Sequence, residues 1–157
     1  MKKLTALFLS TLMVLTLVIS MATFAVSAEN TPVTADKSWY NDSQTEFTLT
    51  TPAQLLGFAE LINEATTFEG KTVKLGNDIT MNEGFDGNKP TDATNLVEYP
   101  SVKGEFHGTF DGQNHAIIGL YLTQENDTNG FDDISLFGSV LSENKTATMR
   151  NLAIIKS

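Results

Sequence analysis

Residues 106–122, FHGTFDGQNHAIIGLYL, form the stretch around which the rest of the chain is organised. Phe106 and Phe110 indicate a first short strand, and Asp111-Gly112 is a favoured tight-turn pair. An apolar second strand follows at the end of the stretch. A version of that second strand returns near the C-terminus, and such self-similarity predicts a β-rich domain of repeat type.

The N-terminus has the three parts of a secretory signal peptide. Lys2 and Lys3 supply a positive start, residues 4–24 are apolar and uncharged, and AVSA at 25–28 offers the small residues that a signal peptidase recognises. We therefore predict cleavage after Ala28. An uncleaved membrane anchor is the alternative, because the apolar run is just long enough to span a bilayer.

With cleavage at this site, we divide the chain into three predicted parts. Residues 1–28 are the predicted signal peptide, 29–44 a leader, and 45–157 a short folded domain, with the start of a longer repeat array as an open alternative for this last part. Because a signal peptide directs export, we expect the mature protein to be secreted or held at the cell surface.

Charge and cysteine content exclude several classes of function. The chain has 10 basic and 19 acidic residues, and loss of Lys2 and Lys3 with the signal peptide changes the net charge from −9 to −11. An acidic surface argues against nucleic acid and against anionic membranes after signal cleavage. The chain has no cysteine, which excludes disulfides and thiolate metal sites.

Local patterns predict one helix among several strands. Thr51 is a candidate N-cap and Pro52 suits the first helical position, so a helix should run to residue 63 or 64. Its apolar stripe predicts that it covers the open end or one face of a sheet. The stripe consists of Leu55, Leu56, Phe58, Ala59 and Ile62. We expect strands at 45–50, 71–75, 79–81, 134–140 and 148–155, and a long surface loop at 82–99.

An internal repeat supports a solenoid. An offset of 32 aligns AIIGLYL (116–122) with TMRNLAI (148–154), so that Ile117 meets Met149 and Leu122 meets Ile154. In a solenoid each coil stacks its strand on the coil before it. Since the chain stops just after an apolar strand, we expect the last coil to be covered by a partner chain, by self-association, or by further coils of a longer protein.

The order of these segments resembles the start of a right-handed parallel β-helix. TPAQLLGFAELIN, FEGKTVKLGNDITM, FHGTFDGQNHAIIGLYL, SLFGSV and ATMRNLAI are similar to N-terminal modules of bacterial surface proteins that carry GLUG-type repeats. The similarity covers about residues 45–155. It implies a short right-handed parallel β-helix with one N-terminal amphipathic capping helix, export, a surface or adhesive role, and no catalytic residues.

A glycine-bent acidic loop is the one metal candidate. Its oxygen donors are Asp127, Asn129, Asp132 and Asp133. Such donors suit calcium, but the bidentate glutamate of an EF-hand is missing, and a solvated acidic loop is the alternative. We predict no other cofactor.

The remaining chemistry-bearing residues favour structural roles. Asp111 could be a catalytic carboxylate, but no second carboxylate has a clear claim to face it, so turn chemistry is the favoured interpretation. His107 and His115 flank the turn, and a transition-metal pair would need more ligands. Solvent-facing strand positions are therefore expected for both histidines. Arg150 lies in the last strand with no acidic cluster in its own coil, which argues against a lyase.

The sequence thus predicts a non-enzymatic module that binds a cell-surface glycan or protein. Residues 82–99 and 123–133 are the candidate contact loops, because loops on a rigid scaffold carry function. Two alternatives stay open. One is a polysaccharide lyase or hydrolase of β-helix type, and the other is a purely structural N-terminal fragment of a larger surface protein.

Overall fold

Every strand ladder in the described part of the chain is parallel, and the ladders form three sheets. The computed structural model describes residues 32–88, 93–122, 135–139 and 145–157. All of them belong to the unit from Thr31 to Ser157. The predicted signal peptide lies outside the described residues. The strands are β1 (Glu46–Leu49), β2 (Thr72–Leu75), β3 (Ile79–Thr80), β4 (Glu98–Tyr99), β5 (Thr109–Asp111), β6 (Ala116–Ile118), β7 (Tyr121–Leu122), β8 (Thr148–Arg150) and β9 (Ala153–Ile155).

The chain visits the three sheets in turn and then returns to the first. The strand orders are β1-β2-β5-β8, β3-β6-β9 and β4-β7, so each sheet grows in sequence order. We call each circuit a coil: coil 1 holds β2 to β4, coil 2 holds β5 to β7, and coil 3 holds β8 and β9. The prediction of a mainly β fold with parallel strands and one helix is confirmed for the described residues.

The predicted helix is confirmed as α1 (Pro52–Asn63). Its N-terminus is capped by Thr51, whose Oγ1 accepts a hydrogen bond from the Gln54 N–H at 3.2 Å. The whole predicted stripe is buried. Phe58 is fully buried, with its ring centroid 5.2 Å from that of Phe68 and 5.4 Å from that of Phe110. The helix thus contributes an aromatic anchor to the core.

Register stacks inward-facing residues into two continuous apolar columns. The first column runs through β1, β2, β5 and β8 and consists of Phe47, Val73, Phe110 and Met149. The second runs through β3, β6 and β9 and consists of Ile79, Ile117 and Ile154. Each column is buried up to coil 2 and exposed at its last member in coil 3.

The predicted offset of 32 between repeats is wrong. Met149 pairs with Phe110 instead of Ile117, and Ile154 pairs with Ile117 instead of Leu122. The predicted alignment placed the start of coil 3 on the second sheet strand of coil 2. The true offset is 39 residues between β5 and β8, as from Thr109 to Thr148, and 37 residues between β6 and β9, as from Ile117 to Ile154. Both frames bring apolar residues together, so apolar spacing alone did not separate them.

The two strands predicted on either side of Asp111-Gly112 do not pair with each other, because β5 and β6 belong to different sheets. The segment between them is a corner, with positive φ at Gln113 (51°) and Asn114 (64°). Gly112 is needed for a different reason: a Cβ there would collide with the backbone of Asn151. Asp111-Gly112 therefore marks a place where two coils approach closely.

Two further predicted strands are each divided by a residue with positive φ. The segment 148–155 forms β8 and β9 with Asn151 (φ 53°) between them, and 116–122 forms β6 and β7 around Gly119 (φ 67°). Positive φ turns the chain from one sheet to the next. In the predicted strand at 134–140, residues 135–139 are described, and Ser139 forms only an isolated bridge with Glu105.

Residues 82–99 are more than the surface loop that we expected. Their start is anchored by Asn82, which is buried and bonds through its side chain to the Val97 N–H at 2.6 Å and to the Gly119 carbonyl at 2.8 Å. Their end forms β4, where Tyr99 is fully buried. Because a buried amide needs several partners, Asn82 fixes both ends of the segment.

Truncating the second apolar column should show where the core ends. Ile117→Ala should lower the free energy of unfolding by about 2–5 kcal/mol, because Ile117 is fully buried. Ile154→Ala is the matched control one coil further, where the side chain is 44% exposed, and should cost less than about 1 kcal/mol. Urea unfolding measures both changes. Equal losses would contradict the exposed position of Ile154.

Candidate functional site

The strongest candidate surface is the edge formed by β8 and β9. Three large apolar side chains lie there in the open: Met149 is 42% exposed, Ile154 44% and Ile155 43%. We call β8 and β9 with these side chains the open edge. Strand edges with exposed apolar side chains invite pairing with another chain.

The opposite end of the first apolar column is covered. Phe47 in β1 occupies the position equivalent to Met149 but is only 4% exposed. The Trp39 and Tyr40 rings pack on it, with centroid distances of 5.4 and 5.3 Å. Both rings come from the predicted leader, which is joined to α1 by a hydrogen bond from the Asp36 N–H to the Ala53 carbonyl. Among the described residues, the stack therefore has one covered end and one open edge.

Alternate backbone groups of the open edge face away from coil 2. The Thr148 N–H and the Arg150 carbonyl bond to Gly108 and Gly112, and Ala153 and Ile155 make equivalent bonds on β9. Successive residues of a strand direct their backbone groups to opposite sides. The N–H and C=O of Met149 and Ile154 therefore point toward the open side, where no described strand pairs with β8 or β9.

A buried carboxylate joins coil 2 to the open edge. Asp111 Oδ1 accepts hydrogen bonds from the Gln113 N–H at 3.0 Å and from Asn151 Nδ2 at 3.1 Å, and Oδ2 accepts from Arg150 Nε at 2.8 Å. Chiefly the Gln113 N–H, with Asn151 and Arg150, holds the pKa of the Asp111 carboxyl below its usual range. The carboxylate is therefore an ionised clamp, consistent with the turn role predicted for Asp111.

The two histidines do not share a site. His107 is buried, which corrects the expected solvent-facing position. Its Nε2 lies 3.2 Å from a Glu105 carboxylate oxygen, yet neither ring nitrogen makes a hydrogen bond to a described residue. His115 Nδ1 lies 3.2 Å from Asp78 Oδ1, and the Ala116 N–H donates to the same oxygen at 2.9 Å. Each histidine thus has its own carboxylate neighbour.

Metal candidates find little support in the described residues. No group of three or more His, Asp or Glu side chains there could hold a metal ion. The calcium candidates Asp127, Asn129, Asp132 and Asp133 lie outside the described residues, as does the contact loop 123–133.

From the sequence we expected the last coil to need a cover but misplaced its residues over coil 2, because we used the wrong frame. The correct frame has clearer signals than apolar spacing. TVK (72–74), TFD (109–111) and TMR (148–150) occupy equivalent positions in β2, β5 and β8. AII occurs in both β6 and β9. Aligning these short motifs would have placed Arg150 over Asp111.

Acidification should test the Asp111 clamp. The folded-state pKa of Asp111 lies below the unfolded one, so its contribution to stability is present above the unfolded-state pKa and is lost as pH falls through the folded-state pKa. Asp111→Asn should therefore lower the thermal midpoint at neutral pH and make its decline below about pH 5 shallower. Other carboxyls with lowered pKa keep part of the decline: Asp36, Glu69, Asp78 and Asp86.

The matched control is Glu83→Gln, which neutralises an exposed carboxylate. Its thermal midpoint should follow that of the unaltered protein across the pH range. If Asp111→Asn also follows the unaltered protein, Asp111 does not act as an ionised clamp.

Comparison with known proteins leaves the chain's own geometry as the basis for function. No protein-family model, curated protein or solved structure matches this chain. Within the described residues, α1 is too short to cross a lipid bilayer, and no other helix there is long and apolar enough to do so.

Proposed function

We propose that this chain is an exported, non-enzymatic interaction module, built as a short right-handed parallel β-helix, that binds a glycan or protein at the cell surface. The observation that carries this proposal is the difference in burial between the two ends of the first apolar column. One end of the apolar column is covered by Trp39 and Tyr40, while the other ends in the exposed Met149. Exposed apolar surface of this kind marks interaction sites.

The topology supports the β-helix part of the proposal. Strands enter each sheet in sequence order, all neighbours are parallel, and the chain passes through the sheets in a fixed cycle. Parallel crossover connections are overwhelmingly right-handed, which supports the handedness. The α1 helix adds Phe58 to the core before coil 1 begins, as a capping element would.

The state of two carboxylates argues against their use as a general acid, which favours the non-enzymatic interpretation. General acid catalysis needs a carboxyl whose pKa is raised toward the working pH. Asp111 and Asp78 both have pKa values held below the usual range, by the N–H groups of Gln113 and Ala116 foremost. Both carboxylates therefore act as hydrogen-bond acceptors that join one part of the stack to another.

Surface binding can be tested with the mature chain from Glu29. We expect saturable binding to purified cell-wall polysaccharides or to cell-surface proteins, measured by biolayer interferometry. Ile154→Lys places a charge on the open edge and should weaken binding at least about ten-fold, since a buried unpaired charge is costly. Val33→Lys makes the same change of charge at another exposed apolar position and should bind like the unaltered protein.

Incubating the mature protein with the same polysaccharides tests the alternative that it is an enzyme. Reducing ends or unsaturated products released from the polysaccharides would overturn the non-enzymatic role. Equal binding by the Ile154→Lys and Val33→Lys proteins would show that the open edge is not the contact surface. If the unaltered, folded protein binds none of these polysaccharides or proteins, the interaction role itself is overturned.

Export is tested by expressing residues 1–157 in a bacterial host with a general secretion system. We expect the protein outside the cytoplasm with Glu29 as its N-terminal residue, because AVSA at 25–28 fits signal peptidase. N-terminal sequencing checks this directly. Replacing Ala28 with a bulky residue, Ala28→Phe, should retain the precursor, and an unaltered N-terminus in the natural sequence would contradict cleavage.

A further inference from the structure

Three strands of the first sheet share a chemical pattern that alternates in charge. The strands are TVK in β2, TFD in β5 and TMR in β8, and register places equivalent residues opposite one another. The first position is always threonine and the second always an inward apolar residue. The third is charged and alternates in sign: Lys74, then Asp111, then Arg150. Asp111 binds Arg150 at 2.8 Å, whereas Lys74 binds Glu46 of β1 at 2.8 Å. Opposite charges at neighbouring strand positions are favourable, and like charges are not.

The open edge therefore repeats the chemistry of β2. Both strands have the order threonine, apolar residue, basic residue. In β2 this edge is covered by β5, which supplies Thr109, Phe110 and Asp111. The next strand over β8 should by the same chemistry supply a hydroxyl, a large apolar side chain and a carboxylate.

Arg150 is placed to receive that carboxylate. Its Nε donates to Asp111 at 2.8 Å on the side of coil 2, while its side chain is 56% exposed. A guanidinium has five N–H donors and can bind a second carboxylate with the nitrogens that Asp111 does not use.

The second apolar column shows what the cover must bury. Ile117 and Ile154 are paired and belong to identical AII segments, yet Ile117 is fully buried and Ile154 is 44% exposed. The difference is that Ile117 has a coil on each side. A covering strand over β9 therefore needs an apolar residue at the position of Ile154.

The charge around the open edge argues against a second copy as the cover. Residues 145–157 contain three basic residues and no acidic residue. Lys145 is already paired with Glu69 at 2.8 Å, which leaves Arg150 as the basic group of β8 itself. Two copies that meet along β8 would each bring Arg150 and no carboxylate from this segment, whereas an acidic partner strand supplies a carboxylate for Arg150.

We propose that the open edge binds an acidic, apolar extended segment of another polypeptide, which adds to β8 as a parallel strand with the pattern Thr or Ser, large apolar residue, Asp or Glu. This inference rests on the interaction role proposed above and names the chemistry of the partner. The segment's carboxylate binds Arg150 and its apolar residue covers Met149. An apolar run that follows its turn covers Ile154.

A peptide copy of residues 108–122, GTFDGQNHAIIGLYL, is the probe, because it holds the required pattern. Fluorescence anisotropy with the mature protein should give saturable binding. A peptide with Asp111→Asn should bind more weakly, and one with Asp111→Lys about ten-fold more weakly than the unaltered peptide, since attraction to Arg150 becomes repulsion. The difference among peptides should shrink in high salt.

Protein variants locate the binding. Ile154→Lys should reduce binding of the unaltered peptide at least about ten-fold, while Val33→Lys is the charge-matched control and should not change it. Arg150→Gln should make the Asp and Lys peptides bind alike. Circular dichroism checks that each variant is folded, and the series of peptides with the unaltered protein keeps the test valid if Arg150→Gln unfolds.

Three results would overturn the inference. They are no binding of any peptide, equal binding of the three peptides to the unaltered protein, and a dimer in light scattering that Ile154→Lys converts to a monomer. If surface binding persists in Ile154→Lys while peptides fail to bind, only this inference is lost. If peptides bind as expected but no surface glycan or protein does, the proposed cell-surface role fails and the strand-binding edge stands.

Discussion

The structure depends on the parallel register that stacks one coil on the next. A slip of one residue would turn Phe110 outward and bring Asp111 into the apolar column. The Asp111 carboxylate opposes such a slip, because its hydrogen bonds to Arg150 and Asn151 form only when Met149 lies over Phe110. Burial of the apolar residues supplies stability, and the buried Asp111 carboxylate determines the register in which they are buried.

The corners between strands determine where each strand ends and how closely neighbouring coils approach. Gly112 allows the backbone of coil 3 to approach coil 2, and Gly119 adopts positive φ where Asn82 donates to its carbonyl. Asn151 turns coil 3 in the left-handed region, where asparagine is tolerated. Thus the same few Gly and Asn residues decide where each strand ends and how closely the coils approach.

Local chemistry made the helix and the early strands predictable. Thr51, Pro52 and the apolar stripe act within one helix, and the alternation of Phe47 and Leu49 lies within one strand. The frame of the repeat was less accessible, because several offsets bring apolar residues together. The burial of His107 and Tyr99 was also missed, since it depends on which coil lies beside each residue.

The candidate site depends on contacts between residues that are far apart in the sequence. Arg150 looked isolated within its own coil, but the strand pairing places it over Asp111 from the coil before. Only one face of the Arg150 guanidinium is used inside the fold, since Nε binds Asp111 while the side chain is 56% exposed. The same contact that fixes the register between β5 and β8 therefore holds a charged group at the open edge, and the proposed acidic partner follows from that placement.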